Sequence, residues 1–302
     1  MNLSFIWIIF AGIVWGLDGL LRSQITGVSP LTIVTVEHAI GFVILAVIGM
    51  NHFRFPKLTP KAWFALLGVA LFSGLIGTYA FTWAMANVHF SSFWVLFLLL
   101  KLQPLFAITA ALIFLGERPK KSFYPLAVLA IISAYFLSFG KSGLSLPALG
   151  DDTTRAVLAG LIAALCWWSA TVFSKYLSGQ WYKARTMTAF RLGLVAILGV
   201  IALGIMTLLG VDGALSLPAD PSSFLLIVTG VALLSGVLGT TMYYRGIKHT
   251  HATRASIFEL AFPITGFIID IFVQHKTPDT FQIAGGAFLI IVMIFVARTK
   301  KD

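Results

Sequence analysis

Ser73-Gly-Leu-Ile-Gly-Thr78 and Ser235-Gly-Val-Leu-Gly-Thr240 are one motif written twice, 162 residues apart. At the same offset His89 matches His251, and Pro104 matches Pro263 after a shift of three residues. Both copies lie inside long apolar runs, and such runs make up most of the chain. Of 302 residues, 59% are hydrophobic and 11% charged, with a mean hydropathy of +0.95. A soluble domain carries roughly a quarter charged residues, so this chain could not cover its surface with polar groups in water. Lipid is the solvent that fits. A membrane helix needs about 20 apolar residues, and these runs are too long for barrel strands of roughly 10 alternating residues.

Capping side chains ahead of prolines mark several helix starts: Ser29-Pro30, Thr59-Pro60, Asp220-Pro221 and Thr277-Pro278. With the polar breaks they predict ten spans, at 5–25, 30–50, 61–86, 91–115, 121–139, 155–177, 185–209, 222–247, 253–273 and 280–298. Trp15 and Trp167 hold similar places in spans 1 and 6. The expected fold is an all-α integral membrane protein of ten transmembrane helices in two inverted five-helix repeats. Residues 1–140 form the first repeat, 141–154 a linker and 155–302 the second.

Inversion follows from parity and charge. Five helices per half is an odd number, so the second half enters the membrane upside down. Of the 21 Lys and Arg, 15 fall on the side of the N-terminus and four, Arg22, Lys141, Arg155 and Lys276, on the opposite side. Lys101 and Arg191 fall inside spans. The positive-inside rule then puts both termini in the cytoplasm, with a bacterial-type inner membrane as the expected location. The turn after span 3 lacks Lys and Arg, whereas the turn after span 8 carries Lys248 and Arg254. The net charge of +10 sits in short loops, the pattern of a membrane protein and not of a nucleic-acid binder. The lone Cys166 excludes an internal disulfide. The first apolar run lacks a basic n-region and a cleavage site and reads as a retained helix.

Val14-Trp15-Gly16, the stretch LFAITAALIFLGERP at 105–119 and TAFR at 188–191 stand in an order and spacing that resemble the EamA type of the drug/metabolite transporter superfamily. The resemblance runs along nearly the whole chain. It implies ten helices, cytoplasmic termini, a central cavity, and export or exchange of amino acids, amines or related metabolites. The sequence departs from that pattern twice. Glu117 of the first "LGE" is answered by Lys276 in the second half, and Arg191 of span 7 by His38, beside Glu37, in span 2.

Ionisable residues inside a span cost at least about 2.5–3.5 kcal/mol on insertion scales, so each is a functional candidate. Here they are Asp18, Glu37, His38, Lys101, Arg191, Glu259 and Asp270. Trp15, Asp18 and Arg22 share a face of span 1, Trp94 and Lys101 one of span 4, and Glu259, Pro263 and Asp270 one of span 9. Tyr79 and Trp83 on span 3 and Tyr243 on span 8 supply aromatic surface at similar depth, as does Trp167. The predicted substrate-binding set is Trp15, Asp18, Glu37, His38, Tyr79, Trp83, Trp94, Lys101, Trp167, Tyr243 and Glu259, with Glu37, His38 and Asp18 as proton-coupling candidates. Simpler readings stand beside these: Lys101 pairs with Glu259 between the halves, and Asp18 with Arg22 along one helix. Arg191, Glu117, Pro104 and Pro263 are read as structural. So are Gly74, Gly77, Gly236 and Gly239, expected to pack spans 3 and 8 within their own halves.

Aromatic walls with a carboxylate suit an organic cation, while Lys101 opposite Glu37 or Asp18 suits a zwitterion, so the cargo is expected to bear an amine. A phosphorylated or lipid-linked cargo, such as a nucleotide sugar, is the alternative if Lys101, Arg191 and Arg22 converge. A membrane enzyme would want a motif such as HExxH or GxSxG, and neither occurs. A scaffold would want longer loops. No cofactor or metal is expected, no nucleotide-binding loop is present, and both a monomer and a homodimer remain open.

Overall fold

The computed structural model describes residues 3–49, 57–87, 103–142, 151–180, 183–211, 213, 215–216, 218–273, 275 and 277–298. Trp94, Lys101, His89 and Lys276 lie outside them, as do the side chains of Pro104 and Asp270. Among the described residues every regular element is helical, and eight helices are long and apolar enough to cross a bilayer. This is a multi-pass membrane protein.

In chain order the helices are α1 (Ser4–Arg22), α2 (Pro30–Gly49), α3 (60–87), α4 (Gln103–Phe114), α5 (Phe123–Phe139), α6 (Asp151–Ser178), α7 (Ala184–Leu208), α8 (221–248), α9 (252–272) and α10 (Thr280–Arg298). Thr59 caps α3 by accepting from the Ala62 amide at 3.2 Å, with Pro60 in the first helical position. Asp220 caps α8 by accepting from the amides of Ser222 and Ser223. The start of α10 differs from the Thr277-Pro278 expectation. Asp279 is the cap there, its carboxylate accepting from the Gln282 amide at 2.9 Å while the Gln282 side chain accepts from the Asp279 amide at 3.0 Å. This reciprocal pairing satisfies two helix-end groups, which the Thr-Pro step would not. The sixth helix starts at Asp151, four residues ahead of the expected 155.

Among the described residues three of these helices are not plain α-helices. Both copies of the repeated motif widen into π-helix, Val69–Gly77 within α3 and Ala232–Gly239 within α8. Thr78 Oγ1 donates to the Ser73 carbonyl at 2.9 Å, and Thr240 Oγ1 to the Ser235 carbonyl at 3.1 Å. Such side-chain bonds keep irregular backbone satisfied where water is scarce. α9 is broken at Glu259–Leu260, between Ala252–Phe258 and Ala261–Phe272. Pro263, four residues beyond Glu259, cannot donate to the Glu259 carbonyl and crowds it.

Packing repeats when helix numbers are shifted by five. α2 packs on α7 and α5 on α10. α1 packs on α8 and α9, while α6 packs on α3 and α4. The expectation that the motif glycines pack within their own halves is therefore corrected at Gly74, Gly77 and Gly239, while Gly236 does face its own half. A Cβ on Gly77 would lie 2.8 Å from the Trp167 ring of α6, and one on Gly74 would collide with Val195 of α7. A Cβ on Gly239 would lie 2.7 Å from Trp15 Nε1 of α1, whereas Gly236 faces Leu192 at an ordinary 3.7 Å. The indole is the bulkiest side chain available, and it needs bare backbone beside it. On α1, Gly12 and Gly16 make the same kind of approach to Ala261 and Thr265 of α9. Opposite faces of the outer helices stay apolar and exposed, as with Val200, Ile201 and Leu208 of α7 and Phe288 and Phe295 of α10. In water such faces would drive aggregation; in lipid they are the surface.

Candidate functional site

At the centre, α1, α2, α3, α6, α7, α8 and both pieces of α9 enclose a cavity whose space, mouth included, is about 1150 Å³.

Two tryptophans frame it. Trp15 Nε1 donates to the Ser235 carbonyl at 3.3 Å, and Trp167 Nε1 to the Ser73 carbonyl at 3.2 Å. Each indole thus docks on the π-helical motif of the other half of the chain. Trp15 leans on Tyr243 with ring centroids 5.4 Å apart, and Trp167 on Phe81 at 5.2 Å. Phe81 and Tyr243 are themselves 162 residues apart. Between the aromatic pairs the wall is rich in hydroxyls, among them Ser73, Thr78, Ser235, Thr240 and Ser256.

One end carries a buried ionic cluster. Arg22 Nε lies 2.7 Å from Asp18 Oδ2 one turn back on α1, and its Nη2 lies 2.6 Å from Glu37 Oε2 on α2. Nη1 donates to Thr82 Oγ1 on α3 at 3.2 Å. The three charged residues are 5–6% exposed, so one guanidinium ties three helices together. Arg22, counted with the cations of the opposite side of the membrane, is a buried wall of the cavity. His38 Nδ1 lies 2.8 Å from the Val34 carbonyl and 3.1 Å from Glu37 Oε1. Two acceptors at one nitrogen put the proton on Nδ1.

The other end is different. Arg191 on α7 lines the cavity and donates from Nη2 to Ser73 Oγ at 2.9 Å. Glu259 lines the wall at the break of α9, near Tyr243, whose hydroxyl donates to Thr171 Oγ1 at 3.3 Å.

Of the predicted set, Trp15, Asp18, Glu37, His38, Trp167, Tyr243 and Glu259 come together on the cavity wall, with Pro263 and Gly236. Tyr79 packs instead among Leu31, Val34 and Ala70, and Trp83 against Ala80, Phe81 and Ala163. Trp94 and Lys101 lie outside the described residues. Arg191, read from sequence as structural, is a lining residue. Phe81, Ser73, Thr78, Ser235 and Thr240 were missed, although the offset that relates the two motifs relates each of them to a counterpart as well.

Glu117 stands apart from the cavity, in the turn between α4 and α5. Its carboxylate accepts from the amides of Ala252 and Thr253 at 2.8 and 3.0 Å and from Thr253 Oγ1 at 3.0 Å, with His251 Nδ1 at 3.6 Å. It is the cap of α9, supplied from another part of the chain. Burial pushes its pKa up, but the bonds from His251, Thr253 and Ala252 outweigh that and hold it below the usual carboxylate value.

Comparison with known proteins agrees with this architecture. A family model described as the EamA-like transporter family matches residues 2–139 and again residues 154–298. The riboflavin transporter ImpX of Fusobacterium nucleatum subsp. nucleatum (strain ATCC 23726 / VPI 4351) is 29% identical over 293 residues, covering 95% of each chain. A solved crystal structure superposes with a TM-score of 0.76 at 15% identity, over 98% of this chain and 99% of its own. That likeness concerns the fold alone.

Proposed function

Because this chain belongs to the EamA-like transporter family, we propose that its cargo is a flavin of the riboflavin class, carried across a bacterial-type inner membrane by alternating access. The two halves, 1–140 and 155–302, act as inverted repeats with both termini in the cytoplasm and rock about the central cavity. The observation that carries the reading is the pair of aromatic clamps, Trp15 with Tyr243 and Trp167 with Phe81, around a wall of hydroxyls. A planar three-ring system stacks between aromatic faces, and a polyhydroxylated tail hydrogen-bonds to Ser and Thr. The riboflavin transporter among the relatives points the same way.

The test is direct. Riboflavin fluorescence, titrated with purified protein in detergent, is expected to be quenched on binding, and Trp15→Ala and Trp167→Ala to weaken binding at least tenfold. Unquenched fluorescence with the wild-type protein sinks the flavin reading. An amine-bearing metabolite is the second reading, favoured by Glu259 on the wall beside Tyr243. A melting-temperature rise with amines and none with riboflavin would select it. Phosphorylated cargo fits less well, since Arg22 is already committed to two carboxylates.

The ionic cluster is the coupling site in this reading. Asp18 and Glu37 share one arginine, so a single proton on either carboxylate makes the trio neutral, and His38 stands beside Glu37 to pass it. Glu37→Gln and His38→Ala are expected to flatten the pH dependence of transport. If neither changes it, the cluster is only a structural tie.

A further inference from the structure

The cavity holds two arginines that the structure treats differently. Arg22 uses all three of its nitrogens, on Asp18, Glu37 and Thr82. Arg191 makes one hydrogen bond, to Ser73 Oγ, and its Nε is buried without a partner. Among the described residues no carboxylate lies within ion-pair distance of Arg191. A guanidinium offers five N–H donors in a fixed fork. Leaving a buried N–H donor without a partner costs the protein that carries it. An arginine kept only to hold helices together would look like Arg22.

We infer that Arg191 is a cargo-binding residue, whose missing partner is an electron-rich planar edge of the transported molecule, either adjacent carbonyl and ring-nitrogen acceptors or a carboxylate. Such an edge takes two parallel hydrogen bonds from Nη1 and the second Nη2 proton, the donors left beyond the buried Nε and the bond to Ser73, which a point-charge lysine would not give. Ser73 sets the geometry. Its hydroxyl receives Arg191 while its carbonyl receives Trp167 Nε1, so stacking surface and cation meet at one residue. A heteroaromatic cargo lying on Trp167 presents its edge to Arg191. The second motif lacks that cation, since Ser235 lies beside Asp18 instead. The cavity is therefore polarised, and it orients its cargo one way round. For a flavin, and resting on the reading above, the edge is the pyrimidinedione end of the ring system, with the tail toward the opposite half.

Arg191→Met, Arg191→Lys and Ser73→Ala decide the matter in two measurements on detergent-purified protein. Ligand-free melting comes first. A binding arginine is a burden on the empty protein, so Arg191→Met is expected to melt at the wild-type temperature or above it. Riboflavin titration comes second, with affinity expected to fall at least tenfold in Arg191→Met and by a smaller factor in Arg191→Lys. A ligand-free melting temperature several degrees lower in both Arg191→Met and Ser73→Ala, or failure of Arg191→Met to fold, makes the residue structural and overturns the inference. So does wild-type riboflavin affinity in a stable Arg191→Met. If the wild-type protein ignores riboflavin, the flavin reading fails by itself, and tryptophan against tryptamine, which lacks the carboxylate, replaces it as the probe pair. The inference then stands if wild type prefers tryptophan and Arg191→Met loses that preference, and falls if the preference survives. Without any ligand response, the ligand-free melting temperature decides alone.

Discussion

Removing the side chain of Arg22 would strand Asp18 and Glu37 beside each other at 5–6% exposure. Breaking a buried pair from one side costs about 3–5 kcal/mol, and here two acids lose the same partner. Arg22→Ala is expected to lose at least that much stability in detergent unfolding, while Asp18→Asn, which leaves Arg22 on Glu37, loses less. Equal losses would mean that the two carboxylates do not share the guanidinium. Glu117 acts through its cap on α9. Its pKa is depressed in the folded protein, so its stabilisation is complete above the ordinary carboxylate value and is lost as pH falls through the lowered one. Glu117→Gln should lower the melting temperature at neutral pH by the equivalent of about 1–2 kcal/mol. It should also remove part of the wild-type loss of stability below about pH 4. An unchanged acid limb in Glu117→Gln would assign that limb to other groups.

At the scale of elements, the π-helical motifs and their tryptophans behave as two interlocking joints. Gly77→Ala would put a methyl 2.8 Å from the Trp167 ring, and Gly239→Ala one 2.7 Å from Trp15 Nε1. Both are expected to destabilise by about 1–3 kcal/mol, the usual range for overpacking, and to weaken cargo binding. Gly204→Ala, with nothing within 4 Å of the new methyl, is expected to be neutral or to stabilise by up to about 1 kcal/mol through helix propensity. Melting of the three variants checks the order. The repeated SGxxGT motif was legible in the sequence as a close-packing device because small residues and their spacing are local facts. What the glycines pack against was not legible. The partner of Gly77 is Trp167, supplied by α6 of the other half, and no local pattern reports a contact that long-range topology makes. Phe81 was hidden for a related reason: it is one of 26 phenylalanines, and only its offset from Tyr243 sets it apart. The pairing of Arg22 with Asp18 was legible because it runs along one helix, whereas its bonds to Glu37 and Thr82 on two other helices were not.

For the whole molecule, hydropathy and length were enough to find the eight long apolar helices seen among the described residues, since lipid leaves few alternatives for an apolar backbone. The sense of the two halves in the membrane is a proposal that labelling can test. In a Cys166→Ser background, a single cysteine at Lys141 should react with an impermeant thiol reagent added outside intact cells, and one at Lys120 only after the membrane is opened; both positions are exposed. The reverse pattern would put the termini outside. The central claim is that a flavin crosses the membrane through the cavity framed by Trp15 and Trp167. Uptake of radiolabelled riboflavin into proteoliposomes of the purified protein tests it most directly. The account predicts saturable, protein-dependent accumulation that excess unlabelled riboflavin abolishes and that Trp167→Ala reduces at least tenfold. Uptake no faster than in protein-free liposomes, from protein that is folded and inserted, would contradict it.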